Sequence, residues 1–199
     1  MFSSIHTSRT DQAGPAVFLD RDGTINVEKN YLCHFEDWEW IPGAKEAIRA
    51  LKQSGYKVVV VSNQAGIARG MFKPSDVERL HSFLQQELTH FGATIDAFYY
   101  CPHHPDFNGN CSCRKPAPGM LIQASLDLNL DFARSWMIGD KFIDVQAGRA
   151  ASVQSVMVRT GYGVSEQKYI DRKTQVFDSL VYAIRHIVGN QKEYEATRK

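Results

Sequence analysis

Five short, largely apolar runs punctuate the chain, at 16–19, 56–61, 95–100, 135–138 and 153–158. Runs of this length without alternation are the mark of strands buried on both faces. The stretches between them carry a helical period instead. Residues 43–53 place Ala44, Ala47, Ile48 and Leu51 on one stripe, and residues 75–91 do the same with Val77, Leu80, Phe83, Leu84 and Leu88. Residues 120–128 and 143–151 predict two more helices, Val176 and Phe177 a short strand, and residues 180–188 a last helix. Strand and helix in alternation predict an α/β fold: a Rossmann-like parallel sheet with helices on both faces. A single domain over 16–190 accounts for the pattern, with a polar tail over 1–15 and a charged tail over 191–199.

In such sheets ligands bind beyond the carboxyl ends of the strands. Asp20 and Asp22 follow the first run, Ser62 and Asn63 the second, Cys101 the third, and Gly139-Asp140-Lys141 the fourth. The polar constellations therefore share one rim.

Composition narrows the classes. With 199 residues, 43% hydrophobic and 23% charged, the chain has the size of one ordinary domain. Its 23 basic and 22 acidic residues leave a net charge of +1, so no global field draws it to nucleic acid or to an anionic membrane. No apolar run approaches the roughly 20 residues of a membrane span, and 1–15 lacks a signal-peptide core. The expected compartment is the cytoplasm, and without an exposed apolar stripe the expected state is a monomer. Of four cysteines, Cys101, Cys111 and Cys113 crowd into thirteen positions while Cys33 lies apart. In a reduced compartment such crowding points to metal rather than to disulfides.

The chemistry is concentrated in Asp20-Arg21-Asp22-Gly23-Thr24. Two carboxylates two residues apart, delivered by a strand into a turn that Gly23 permits, can divide the labour of phosphate chemistry: one attacks phosphorus, the other moves the proton. Alone, the motif is as compatible with an acidic surface turn. Ser62 and Asn63 offer a hydroxyl and an amide to phosphate oxygens, or to a helix cap. Lys115 can neutralise a transferring phosphoryl group and Arg114 can grip a phosphate with two hydrogen bonds. Asp140 and Asp144, joined to Asp20, make an oxygen-rich set suited to Mg²⁺. Cys101, Cys111 and Cys113 with a histidine, His103 or His104, can close a tetrahedral Zn²⁺ site that leaves no open position, hence a structural one. The polar segment 102–110 cannot pack itself, and zinc would hold it with Arg114 and Lys115 directly behind.

These pieces, in this order from Val17 to Asp144, resemble the haloacid dehalogenase-like phosphatases. The resemblance implies that Asp20 is the nucleophile, Asp22 the general acid and then base, Ser62 and Asn63 phosphate binders, and Lys115 the phosphate-stabilising lysine. It implies Mg²⁺ on Asp20, Asp140 and the backbone carbonyl of Asp22, with Asp144 in the second acidic position of the last motif. The zinc loop, in which the histidine two after the first cysteine binds and so favours His103, is shared by the heptose bisphosphate phosphatases and the histidinol phosphatases. The segments 20–26, 63–70 and 114–120 look like the heptose branch, and Arg69, with Arg114 and Lys141, would meet the second phosphate or the sugar hydroxyls of a bisphosphate. Ala65 and Ala117 depart from that branch, and the gap from Cys101 to Cys111 is closer to the histidinol type.

What the resemblance implies is a Mg²⁺-dependent phosphatase with no large cap domain, removing the 7-phosphate of a heptose bisphosphate on the way to nucleotide-activated heptose for lipopolysaccharide core or related glycans. Its pocket would be shaped by the zinc loop and the aromatic segment 31–40. Histidinol phosphate is the alternative substrate, and a non-catalytic, receiver-like metal-binding module the rival from another class.

Overall fold

The computed structural model describes residues 13–196. Six strands form one parallel sheet: β1 (Ala16–Leu19), β2 (Lys57–Asn63), β3 (Ala97–Cys101), β4 (Trp136–Gly139), β5 (Gln154–Val158) and β6 (Val176–Phe177), in the order β3-β2-β1-β4-β5-β6. The chain builds outward from β1 in one direction and then, from β4, in the other. The topological switch point thus lies between β1 and β4, where Leu19 pairs with Ile138 and the Asp20 N–H donates to the Ile138 carbonyl at 2.9 Å.

The helices in chain order are α1 (Ala44–Gln53), α2 (Pro74–His90), α3 (Pro105–Asn108), α4 (Gly119–Leu128), α5 (Phe142–Ala150), α6 (Gly163–Glu166) and α7 (Leu180–Ala196). Side chains alternate across the sheet as strand geometry requires. Val17 and Leu19 join Val58, Val60 and Ile138 under α1 and α7. Ala16 and Phe18 join Val59, Val61 and Met137 under α4 and α5. The central residues of these strands are apolar in succession because each faces one or other helical layer. α2 carries Leu80 and Leu84 against Leu32, Trp38 and Trp40. The two indoles sit edge to face at 5.1 Å. Of the aromatic segment 31–40 only Tyr31 reaches the cavity described below, while the tryptophans are packing residues.

Most element ends differ from the sequence reading by a residue or two; two differences matter. β2 runs on through Ser62 and Asn63, so both are fixed by pairing with Tyr100 and Cys101 of β3. α7 continues to Ala196, so positions 191–196 are helical where a charged tail was expected; 197–199 lie outside the described residues. Of the expected N-terminal tail, 1–12 also lie outside them, and Gly14 is bridged to Leu130. The segment between β1 and α1 is held by the bridges Asp22 to Asn26 and Asn26 to Trp40 and forms no cap domain. Among the described residues no helix is long and apolar enough to cross a membrane.

Candidate active site

The carboxyl ends of β1, β2 and β4 open into a cavity of about 390 Å³, lined among others by Asp20, Asp22, Ser62, Asn63, Arg114, Lys115, Lys141 and Asp144. Rim residues far apart in sequence are therefore gathered as the strand-end rule predicts. A larger, shallower groove of about 510 Å³ on the face of α2, around His81 and Phe98, holds none of them.

Lys115 is the hub. Its ammonium donates to Asp20 Oδ1 at 2.7 Å and to the Val61 carbonyl at 2.8 Å, and lies 2.7 Å from Asp144 Oδ1 as an ion contact rather than an aligned hydrogen bond. Burial pulls the Lys115 pKa down, but Asp144 and Asp20 outweigh it and the net shift is upward, so the lysine is charged. Its backbone is clamped too: the Lys115 N–H donates to Asn63 Oδ1 and Asn63 Nδ2 donates to the Lys115 carbonyl, both at 3.0 Å. Asn63 thus spends most of its amide on holding Lys115. Ser62 Oγ accepts from Gln64 Nε2 at 2.7 Å and keeps its own proton to donate.

Asp22 sits differently from Asp20. Its carboxylate accepts from Arg21 Nε and Nη2, from Asn26 Nδ2 at 3.0 Å and from Gln64 Nε2 at 3.2 Å. Burial works to raise its pKa, but the Arg21 charge and these hydrogen bonds hold it below the usual carboxylate range. Arg21 is fully buried and also donates to the Leu32 carbonyl at 3.0 Å, tying the residues after Asp22 to the same guanidinium.

Asp20, Asp140 and Asp144 each bring a carboxylate oxygen within 4.8 Å of the others, all buried. Burial, then the charges of Asp20 and Asp144, lift Asp140 to about 8; burial, opposed by Lys115 and reinforced by Asp20, lifts Asp144 to about 6. Asp140 Oδ2 accepts from the Tyr162 N–H at 2.7 Å, whereas Asp140 Oδ1 is buried with no hydrogen-bond partner. A crowded set of hard oxygens with one acceptor unspent fits a Mg²⁺ ion. Asp144 Oδ2 accepts from the Lys141 N–H at 3.0 Å, closing the start of α5, so Asp144 is engaged by that helix and by Lys115. The side chain of Asp22 is not in the cluster.

The second cluster is Cys101, His103, Cys111 and Cys113. Its sulfurs stand 3.2 to 3.5 Å apart and His103 Nδ1 lies 3.4 Å from Cys113 Sγ and 3.7 Å from Cys101 Sγ. Disulfide sulfurs would be about 2.05 Å apart, and a Zn–S distance of about 2.3 Å puts tetrahedral sulfurs roughly 3.8 Å apart. The set fits Zn²⁺, with His103 as the fourth corner. His104 turns away: its Nδ1 accepts from the Asp106 N–H, and its Nε2 lies 3.3 Å from Arg69 Nη2. Arg114, next to Cys113, donates to the His103 carbonyl at 3.2 Å, so the loop and the cavity share a wall.

Arg69 is not among the cavity-lining residues; its guanidinium lies over Phe107 at 4.9 Å and over Tyr31 at 5.9 Å. Lys141 does line it, paired with Glu28 Oε2 at 3.2 Å. Ala65 lines it too, and Glu28, Asn30, Tyr31, Gln64, Ile143 and Tyr162 complete the lining without having been singled out by the sequence, apart from Tyr31 within its aromatic segment.

Two family models match the chain: haloacid dehalogenase-like hydrolase over residues 17–80 and HAD-hydrolase-like over residues 112–183. The D-glycero-beta-D-manno-heptose-1,7-bisphosphate 7-phosphatases of Yersinia pestis and Escherichia coli K12 are each 46% identical to it, over 78% and 77% of this chain and 86% and 83% of theirs. The crystal structure of D,D-heptose 1,7-bisphosphate phosphatase from B. bronchiseptica, complexed with magnesium and phosphate, shares the fold at a TM-score of 0.82 and 31% identity, over 88% of this chain and 99% of that one. That of Burkholderia thailandensis matches at 0.67 and 29%, over 87% and 98%.

Proposed function

The chain belongs to the D-glycero-D-manno-heptose-1,7-bisphosphate 7-phosphatases of the haloacid dehalogenase-like hydrolases, and from that premise we propose how its residues remove the 7-phosphate. The observation that carries the reading is the buried Lys115–Asp20 pair facing a cavity that Asp22 also lines. Asp20, paired with the buried Lys115 ammonium, is the nucleophile. Its carboxylate oxygen bonds to phosphorus in line as the bond from phosphorus to the sugar oxygen breaks, and Asp22 gives its proton to that departing oxygen. Phospho-Asp20 then meets a water. Asp22, now a carboxylate, takes the water's proton while the water oxygen attacks phosphorus, and phosphate leaves with Asp20 restored.

The Arg21 fork, Asn26 and Gln64 favour the carboxylate form that the second half needs. For the first half Asp22 must carry a proton and turn toward the leaving oxygen. Ser62 and Asn63 hold phosphoryl oxygens; Lys115 offsets their charge in both halves. Asp20, Asp140 and the Asp22 carbonyl would hold Mg²⁺, which when bound adds a cation at the phosphoryl oxygens. Cys101, His103, Cys111 and Cys113 would hold Zn²⁺ and with it the loop that presents Arg114.

Arg114 and Lys141 are the cations for the distal phosphate and sugar hydroxyls, with Arg69 acting through Tyr31, whose ring it covers. The names of the relatives favour the beta anomer, and the product would feed nucleotide-activated heptose for lipopolysaccharide core or related glycans. Phosphate release from both anomers of the heptose bisphosphate and from histidinol phosphate, under equal Mg²⁺ and with Asp20→Asn as control, tests the reading. Preference for the beta anomer is expected; preference for histidinol phosphate would overturn the substrate, and turnover by Asp20→Asn at the parent rate would overturn the mechanism.

A further inference from the structure

Two aromatic rings line one wall of the cavity, and that of Tyr162 has no task in the mechanism above. Tyr31 and Tyr162 both line it, 42% and 40% exposed. Tyr162 is fixed with more care than a solvent-facing aromatic requires. Its N–H is spent on Asp140 Oδ2, Thr160 Oγ1 donates to the Gly23 carbonyl at 2.6 Å, and Gly161 between them sits at φ +56° where a Cβ would overlap the Asp140 carboxylate and the Gly23 backbone. Lys141 Nζ stands 4.4 Å from the Tyr162 ring centroid, and the Tyr162 hydroxyl donates to Asn30 Oδ1 at 3.1 Å.

Asn30 and Tyr31 are both in the left-handed region, at φ 48° and 60°. Asparagine tolerates that conformation; tyrosine pays for it, and backbone strain of this kind persists where the surroundings over-determine it. Here they do so at the cavity edge: the Asn30 N–H donates to Glu28 Oε1 at 2.9 Å while Glu28 Oε2 holds Lys141. Two aromatic faces are thus set beside an amide oxygen and a carboxylate. That is the lining a polyol needs, with rings to cover its carbon face and acceptors for its hydroxyls.

We propose that Tyr162, braced by Asn30 and facing the cavity with Tyr31, is a specificity-determining residue that seats the sugar of the substrate against the reacting centre. The inference rests on the reading that the substrate is a sugar phosphate. Because the Tyr162 backbone is bonded to Asp140, the ring's position is set by the same groups that set the phosphoryl site, and sugar and phosphate are placed in one frame.

Kinetics of the parent enzyme, Tyr162→Phe and Tyr162→Ala on the heptose bisphosphate and on acetyl phosphate, which has no sugar, test it. Tyr162→Ala should raise KM for the heptose ester about tenfold with a smaller change in kcat, the pattern of lost uniform binding. Its loss in kcat/KM on that ester should exceed its loss on acetyl phosphate by a similar factor. Tyr162→Phe, which keeps the ring, should recover most of the affinity. Equal losses on the two substrates, or a heptose KM unmoved in Tyr162→Ala, would overturn the inference alone. A parent enzyme that turns over acetyl phosphate but not the heptose ester would overturn the substrate reading, and the inference with it.

Discussion

Lys115 Nζ and Asp20 Oδ1 are 2.7 Å apart with both side chains buried, and three elements meet around that contact: Asp20 directly follows β1, the Val61 carbonyl that shares the ammonium belongs to β2, and Asp144 lies in the first turn of α5 after β4. Removing one partner of a buried pair leaves the other charge uncompensated, at a cost of about 3–5 kcal/mol. Lys115→Met should therefore lose that much stability, read from the urea midpoint at neutral pH, and lose phosphatase activity with it. Lys115→Arg should not restore either, since its planar fork does not match acceptors converging on one point. A Lys115→Met protein as stable as its parent would show that the pair carries no such weight.

Asp140 makes stability depend on pH when Mg²⁺ is absent. Its pKa is raised from 3.8 to about 8, so the folded chain keeps a proton that the unfolded chain has released, and stability falls as pH rises between those values. Asp144, raised to about 6, acts in the same sense lower down. His81 acts in the opposite sense: burial lowers it from 6.5 to about 3, so its contribution grows as pH rises to 6.5. Between pH 6.5 and 7 Asp140 is left as the main term, with a slope of up to about 1.4 kcal/mol per pH unit; above pH 7 it is opposed by Cys111, whose thiol burial raises but hydrogen bonds from Cys113 and the loop backbone bring down to about 7. Denaturation at several pH values in Mg²⁺-free buffer should show that fall; Asp140→Asn should remove it and saturating Mg²⁺ should suppress it. Stability that is flat or rises across this window would contradict the assignment.

The strands were legible because residues such as Val58 to Val61 face helical layers on both sides and leave a continuous apolar run. Their ends were less so: Ser62 and Asn63 are polar, and only pairing with β3 shows that β2 includes them. Asp20, Lys115, Asp140 and the zinc-fitting tetrad announced themselves through local motifs. Gln64 and Tyr162 did not. Gln64 reaches the site by bridging Ser62 to Asp22, and Tyr162 by a hydrogen bond between Thr160 and Gly23 that joins the two ends of the site. One usable signal was present: Thr160-Gly161 follows the fifth apolar run on the same rim as every other motif. Arg69 shows the reverse, a motif residue whose guanidinium is taken up by two aromatic rings and a histidine outside the cavity lining.

Gly161 is where the two motifs touch. With φ at +56° and no room for a Cβ beside Asp140 and Gly23, Gly161→Ala has to open the contact between the turn after Asp22 and the residues after β5. Backbone strain of this kind costs about 1–3 kcal/mol, and the shift of Asp140 should weaken Mg²⁺ as well. The expected result is a lower melting temperature together with a higher Mg²⁺ concentration for half-maximal activity. Gly55→Ala, at φ +78° with open space around it, is the control for strain without contact and should leave the Mg²⁺ requirement alone.

The zinc-fitting loop should stabilise the fold and align the cavity together. Cys113 is followed directly by Arg114 and Lys115, and Arg114 is hydrogen-bonded across the loop to His103, so release of the four ligands frees the backbone that carries both cations. Purified protein should contain about one Zn²⁺ per chain. Cys113→Ser should lower the melting temperature by roughly 10 °C, the shift expected for about 3–4 kcal/mol in a domain of this size. Mg²⁺ alone should not restore activity to protein stripped of zinc, because oxygen-seeking Mg²⁺ does not replace Zn²⁺ on thiolates; Zn²⁺ followed by Mg²⁺ should. Full activity of the stripped protein with Mg²⁺ alone would separate the loop from catalysis and leave Lys115 held by Asn63 and β2 instead.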